Sequence, residues 1–283
     1  MMRAERLTAA GAELGEGPVW RAESGEIVWV DILRGEIHAT ALDGSSRLVR
    51  QHAMPVGAVA LTTTGEILAS TPVGLIDQAG AVRSPLAQAA PDVRANDGKP
   101  DPAGRFVGGT MTVGDARADA GALWSIDGGE PIMLVESATI ANGIAWSTEH
   151  PTMYWIDTPT GRIDAFDYDL DTGRVSDRRP HVVMDEAWGS PDGMCIDDED
   201  RLWVAFWGGS AVRCFDGTDC VEMVELPTPL ATCPTFAGPD LDQLVITTAS
   251  IDLPAGSPGA GDMYIVTPGC TGPAPNRLGS WVG

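Results

Sequence analysis

The chain has 283 residues, and its 18 basic residues against 40 acidic ones give a formal net charge of −22 at pH 7. This charge repels polyanions, so nucleic acid and anionic membranes are poor candidate partners. The apolar fraction of 43% is typical of a globular protein, and no apolar run reaches the ~18 residues of a membrane span. The N-terminal segment lacks the continuous apolar core of a signal peptide, so we expect a cytoplasmic protein.

Short strand-like runs separated by turn residues fill the chain, and helical periodicity is nearly absent. In chain order the runs read GEIVWVDILRGEIHATALDG, GEILASTPVGLIDQAG, GRFVGGTM, TMYWIDTPTGRIDAFDYD, DRLWVAFWGGSAVRCFDG and DQLVITTAS. The pattern in each is strand, tight turn, strand, which predicts an all-β protein. An α/β fold would need amphipathic helices between the strands.

A repeat organises these runs. A small or polar stop precedes an apolar strand in EGPVW, VGAVA, NDGKP, NGIAW, DGMCI and PTFAG, which begin at residues 16, 56, 96, 142, 192 and 234. The spacing of about 40 to 50 residues is that of a four-stranded propeller blade. Six units predict a six-bladed β-propeller, with residues 1–283 forming a single domain. A β-sandwich of this length would not need six regular units.

Four of the six stops carry side-chain oxygens, contributed by Glu16, Asn96 with Asp97, Asn142 and Asp192. Equivalent positions of a propeller converge on the central channel, where carboxylate and amide oxygens can bind a hard divalent cation. Taken alone, Asn142 and Asp192 are more typical of turns, because Asn-Gly and Asp-Gly are common turn sequences, and Glu16 is more typical of an exposed loop. The repeat by itself leaves the metal and turn interpretations open.

Several longer motifs resemble the sugar-lactonase family of gluconolactonase and regucalcin. These motifs are LGEGPVW, RANDGKPDPAGRFVGGTM, ANGIAWS, DAFDYDLDTGRVSDRR and PDGMCIDDEDRLWVAFWGG. The resemblance runs from about residue 13 to about residue 249. It implies a six-bladed propeller that binds one divalent metal ion and hydrolyses aldonolactones such as gluconolactone, xylonolactone or arabinolactone.

Carried onto this sequence, the family's metal ligands correspond to Glu16, Asn142 and Asp192, and its substrate-binding residues to Arg94 and Asn96. We expect Asp192 to act also as the general base, since a carboxylate bound through one oxygen keeps the other free for a proton. Oxygen ligands favour calcium, magnesium or manganese, and zinc and iron(II) also accept them.

Asp97 and Lys99 are interpreted as turn residues. In one respect the sequence departs from the family: regucalcin-like members place a substrate-contacting glutamate shortly after GTM, whereas this chain continues with Thr112, Val113 and Gly114 before Asp115. Two alternatives therefore stay open beside sugar-lactone hydrolysis. One is a hydrolase of other lactones or phosphotriesters, and the other is a non-catalytic calcium-binding propeller. The expected partner is a small-molecule sugar lactone, and the expected assembly is a monomer or small homo-oligomer.

Overall fold

The chain folds almost entirely into antiparallel β-sheet. The computed structural model describes residues 1–86 and 92–279, and helical structure within them is confined to two 3-10 turns, Thr158–Thr160 and Glu186–Trp188. The all-β prediction is therefore confirmed. Nowhere in the described residues is there a helix with the length and apolar character needed to cross a membrane.

The strands form six sheets, or blades, and are numbered in chain order, beginning with the N-terminal β1 (Met2–Arg3) and β2 (Glu5–Thr8). The first blade contains β3 (Gly15–Arg21), β4 (Glu26–Asp31), β5 (Glu36–Ala41) and β6 (Ser46–Gln51). The second contains β7 (Ala58–Leu61), β8 (Ile67–Thr71), β9 (Gly74–Ile76) and β10 (Val82–Pro85). The third contains β11 (Val93–Pro100), β12 (Phe106–Thr112), β13 (Gly121–Ile126) and β14 (Ile132–Ala138).

The remaining blades follow the same plan. The fourth contains β15 (Ala141–Trp146), β16 (Thr152–Asp157), β17 (Arg162–Asp169) and β18 (Arg174–Val183). The fifth contains β19 (Ser190–Ile196), β20 (Leu202–Trp207), β21 (Ala211–Asp216) and β22 (Asp219–Glu225), with β1 added in parallel at its outer edge. The sixth contains β23 (Ala231–Ala237), β24 (Gln243–Thr248) and β25 (Met263–Val266), and β2 completes it as the outer strand.

Closure of the ring follows from this strand exchange. The first strand of each blade contacts the first strand of the next, and β23 of the sixth blade contacts β3 of the first. Because β2 precedes the first blade in the chain but belongs to the sixth sheet, the two ends of the chain are joined through hydrogen bonds. The six stops of the repeat lie in or just before these six inner strands, so the predicted six-bladed propeller is confirmed.

The hydrophobic core is divided among the six interfaces between neighbouring blades. One cluster, for example, packs Ile156 and Ile163 of the fourth blade against Val204 and Phe206 of the fifth. Apolar residues on both faces of the strands explain why the runs read as nearly continuous hydrophobic sequence. Each sheet is therefore buried between its neighbours, and the inner strands are held rigidly around the channel.

The segment after β25 crosses the face of the propeller at which the inner strands end. Thr271 Oγ1 donates a hydrogen bond of 2.6 Å to Asp198 of the fifth blade, and the Leu278 amide donates one of 2.8 Å to the carbonyl of Leu61 in the second. Leu278 is completely buried between the second and third blades. Since the second and fifth blades face each other across the ring, the segment spans the mouth of the channel.

We predict that Leu278→Ala lowers the free energy of unfolding by about 2–5 kcal/mol, because it leaves a cavity under the anchored segment. Leu48→Ala removes the same atoms from a side chain that is half exposed and should cost under about 0.5 kcal/mol. Denaturant unfolding of the two variants measures the difference. Equal losses would show that the anchor contributes nothing.

Candidate metal and substrate site

The five residues predicted for the site lie at equivalent places in four inner strands. Glu16 is in β3, Arg94 and Asn96 in β11, Asn142 in β15 and Asp192 in β19. All five are buried, with 5–7% of each residue exposed. The structure thus gathers at the channel side chains that are as much as 176 positions apart in sequence, from residue 16 to residue 192 (192 − 16 = 176).

Irregular strand pairing occurs at each of these places. The register between the first and second strands shifts at residues 16–19, 95–98, 141–144 and 191–194, whereas β7 of the second blade pairs with β8 without a shift. Such β-bulges bend a strand locally and re-aim its side chains, and they are frequent near active sites. The second blade, with a regular inner strand, also carries no polar side chain at its stop.

The glycines that follow Asn142 and Asp192 permit close approach of adjacent inner strands. A Cβ atom on Gly143 would lie 2.6 Å from the carbonyl oxygen of Asp192, and one on Gly193 would lie 2.6 Å from Cys233 Sγ. These positions therefore exclude any larger residue. The Asn-Gly and Asp-Gly pairs are needed for bulges within strands rather than for turns between them.

A hydrogen-bond chain fixes the amides and the guanidinium. Arg94 Nη1 donates to Asn96 Oδ1 at 2.7 Å, and Asn96 Nδ2 donates to Asn142 Oδ1 at 3.2 Å and to the carbonyl of Ala141 at 3.0 Å. Asn142 Nδ2 donates to Thr158 Oγ1 at 3.0 Å, and that hydroxyl donates to the carbonyl of Pro191 at 2.9 Å. The chain links three blades and orients the oxygen atoms of both amides.

Burial dominates the electrostatics of the site. It raises the pKa of Glu16 well above its usual range, and the nearby carboxylates of Asp192 and Asp97 raise it further. The pKa of Asp192 is likewise raised well above its usual range, first by burial and then by Asp97. Burial lowers the pKa of Arg94 to about 10, against the attraction of Glu16 and Asp192, so the guanidinium stays charged at neutral pH.

The chemistry of these residues fits a hard divalent cation. Like-charged carboxylates share a buried space with oriented amide oxygens, and Asp97 Oδ2 is buried without a hydrogen-bond partner. A cation among such oxygens would relieve the repulsion that raises the carboxylate pKa values. Within residues 1–86 and 92–279, no three His, Cys, Asp or Glu side chains form a metal-binding group by themselves. The residues that would hold such a cation are Glu16 and Asp192 together with the amide oxygen of Asn142.

Comparison with known proteins identifies the family of the chain. The SMP-30/Gluconolactonase/LRE-like region matches residues 14–250. Regucalcin of Xenopus laevis is 32% identical over 284 residues, covering 94% of each chain, and “Putative sugar lactone lactonase YvrE” of Bacillus subtilis is 34% identical over 250 residues, covering 84% of each. The chain belongs to the SMP-30/gluconolactonase/LRE-like family. A solved regucalcin structure from Agrobacterium tumefaciens, described as a calcium-binding protein, superimposes with a TM-score of 0.90 at 28% identity, covering 98% of this chain and 97% of that one.

The loop after GTM distinguishes this member of the SMP-30/gluconolactonase/LRE-like family from the regucalcin-like pattern. Thr112 ends β12 and its hydroxyl donates to the backbone carbonyl of Asp115 at 2.8 Å, while it accepts from the Arg117 amide at 3.1 Å. Val113 and Asp115 are exposed. The nearest acid in this loop therefore faces solvent, and its role cannot be that of a buried substrate contact.

The structure corrects the interpretation of Asp97 and Lys99 as turn residues. Both lie within β11, and the turn to the next strand begins only at Asp101. Lys99 Nζ donates to the carbonyls of Ile144, at 3.1 Å, and of Met194. The phase of the repeat, which places these residues just inside the inner strand, was the signal that could have identified them. Nothing in the sequence pointed to Thr158.

We predict that Asp192→Asn raises the Tm of the metal-free protein at pH 7 by at least about 2 °C. In the folded wild type the carboxyl has a raised pKa, so stability falls as pH rises through that pKa and is restored on acidification. The uncharged amide removes this penalty, and the gap between the two proteins should close as pH is lowered. Calorimetry in chelator measures both effects, with exposed Asp115→Asn as control; a metal-free variant less stable than wild type at pH 7 would contradict the assignment.

Proposed function

We propose that this protein is a divalent-metal-dependent hydrolase that opens the ring of a sugar-acid lactone to give the free acid. The observation that carries the proposal is the convergence of Glu16, Asn142 and Asp192 from three bulged inner strands, next to Arg94 and Asn96. Membership of a family that includes gluconolactonases and a sugar-lactone-lactonase relative supports the substrate class.

The metal would be held by Glu16, Asn142 and Asp192, and when bound it supplies polarisation of the lactone carbonyl and a more acidic water. Asp192 accepts a proton from the attacking water as the water oxygen bonds to the carbonyl carbon. The ester bond to the ring oxygen then breaks, and the same proton is returned to the alkoxide that leaves. Burial raises the pKa of Asp192 in the metal-free site, and a bound cation would lower it again, so that the carboxylate would be ionised and able to accept the proton.

Arg94 and Asn96 position the substrate. Arg94 uses Nη1 for Asn96 and for the carbonyl of Ala95, which leaves its other donors for oxygens of the lactone. Both N–H groups of the Asn96 amide are already used, so Asn96 can contact substrate only by accepting a hydroxyl proton at Oδ1. This division of roles favours a polyhydroxylated ligand over a simple aliphatic lactone.

A second candidate function is a calcium-binding propeller without catalysis, which the description of the related Agrobacterium structure favours. The exposed loop at Asp115 keeps a third open, the hydrolysis of other lactones or phosphotriesters. We would assay metal-stripped protein, restored in turn with calcium, magnesium, manganese, zinc or iron(II), on gluconolactone, xylonolactone, arabinolactone and galactonolactone. A paraoxon-type phosphotriester serves as the competing substrate. Tight cation binding with no turnover of any substrate would favour the calcium-binding propeller without catalysis and overturn the proposal.

We predict that Asp192→Ala abolishes measurable metal binding in calorimetry and lowers kcat/KM on the best lactone by about a thousandfold or more. The physical reason is the simultaneous loss of a ligand and of the proton acceptor. Asp115→Ala, at an exposed position in the loop after β12, is the matched control and should leave both values unchanged. Retained turnover in a folded Asp192→Ala protein would remove Asp192 from the mechanism.

We predict that Arg94→Lys raises KM for the lactone by about tenfold or more while changing metal affinity little, because a lysine cannot reproduce the planar set of donors. Steady-state kinetics and metal titration separate the two effects. Arg117→Lys, whose parent side chain is largely exposed, controls for the substitution itself. An unchanged KM would exclude Arg94 from substrate binding.

A further inference from the structure

A second space lies in the channel on the side of Lys99 away from the candidate metal site. It is a cavity of about 660 Å³, lined where the inner strands continue past the site residues, for example at Val19, Ile196 and Phe236. The segment Pro273–Asn276, which crosses the mouth of the channel, also lines it. A cavity of this size is in the range that binds small molecules.

The walls of the cavity are mainly aliphatic and aromatic, and charge is concentrated at Lys99. Of the described residues that line the cavity, Lys99 is the only lysine or arginine. Glu149 and His150 also line it, but their side chains are about two-thirds exposed and 3.8 Å from each other, so they belong to the solvent-filled rim. The cavity therefore combines apolar walls with one partly buried cation.

The ammonium group of Lys99 is held in place with donor capacity remaining. Two of its three N–H groups donate to backbone carbonyls, those of Ile144 and Met194, which are neutral acceptors. Burial alone would lower the pKa of Lys99. Cys233 first and Asp97 next, both acting through space, outweigh burial and raise that pKa, so the ammonium stays charged. Among the described residues no carboxylate forms an ion pair with it.

We propose that this cavity binds a small apolar monocarboxylate, with the carboxylate on Lys99 Nζ and the hydrocarbon part along the channel walls. One remaining N–H on a single ammonium suits a monoanion, whereas a phosphate dianion is normally bound by several donors. The apolar walls favour hydrocarbon over hydroxyl groups, so the ligand is less polar than a sugar lactone. The site is separate from the proposed catalytic centre and does not depend on it.

Selective labelling makes the test direct, because Lys99 is the only lysine in the sequence. Protein containing [13Cε]-lysine gives one lysine signal, and octanoate should shift it saturably, whereas octanol should bind at least about tenfold more weakly. Across butanoate, hexanoate and octanoate the affinity should rise about fourfold per methylene. Absence of a saturable shift with octanoate would overturn the proposal.

Variants separate charge from packing. In calorimetry Lys99→Met should lose at least about tenfold in octanoate affinity and retain octanol binding, while Arg3→Met removes one charge from an exposed pair and should change neither. Thr235→Trp, at a partly exposed wall position, should block both ligands without touching Lys99. If Lys99→Met does not fold, the Thr235→Trp variant provides the test through its single lysine signal. An octanoate-induced shift of that signal as large as in the wild type would show that the ligand binds outside the cavity. Equal octanoate affinity in folded Lys99→Met would likewise overturn the proposal.

Discussion

The site depends on burying like-charged carboxylates together at the centre of the ring. Burial raises the pKa of all three carboxyl groups, those of Glu16, Asp97 and Asp192. Asp97 raises the pKa of the other two further, and Asp192 also raises that of Glu16. Such an arrangement is unfavourable for folding by itself. The six blade interfaces, each with its own apolar cluster, supply the stability that holds these groups in place. In this fold the apolar interfaces between blades provide the stability, and the polar side chains at the channel are the candidate functional groups.

Local irregularity is what converts a stable ring into a site. In a regular strand alternate residues point to the two faces of the sheet, and both faces of an inner strand pack against neighbouring blades. The register shifts at Glu16, Asn96, Asn142 and Asp192 break this alternation and turn polar side chains towards the axis. Gly143 and Gly193, which follow Asn142 and Asp192, then let neighbouring inner strands approach closely. The second blade, which lacks the shift, contributes no site residue. The sixth blade has a shift at residues 231–233 but no carboxylate or amide side chain there, so both the shift and the polar residue are required.

The number of blades and the position of the inner strands could be predicted from the sequence, because every blade repeats the same pattern of a stop followed by an apolar strand. The spacing of the stops gave the number of blades, and each stop did lie at an inner strand. The prediction that Asp97 and Lys99 lie in a turn was wrong, because Asp-Gly is compatible with both a turn and a bulge, and sequence alone cannot distinguish them. The path of residues 271–278 could not be read at all, because contacts such as Thr271 with Asp198 and Leu278 with Leu61 have no local pattern. The hydrogen bond from Asn142 to Thr158 is of the same long-range kind.

Lys99 connects the two halves of the channel. On one side its charge attenuates the repulsion among the carboxylates, acting on Asp97 first and on Glu16 more weakly. On the other side it faces a cavity that the segment at Pro273–Asn276 closes over. An ammonium anchored by two carbonyls from different blades cannot move towards either side without breaking those bonds. Lys99 is therefore a fixed charge between the buried carboxylates and the cavity. An anion bound in the cavity would act electrostatically on those carboxylates.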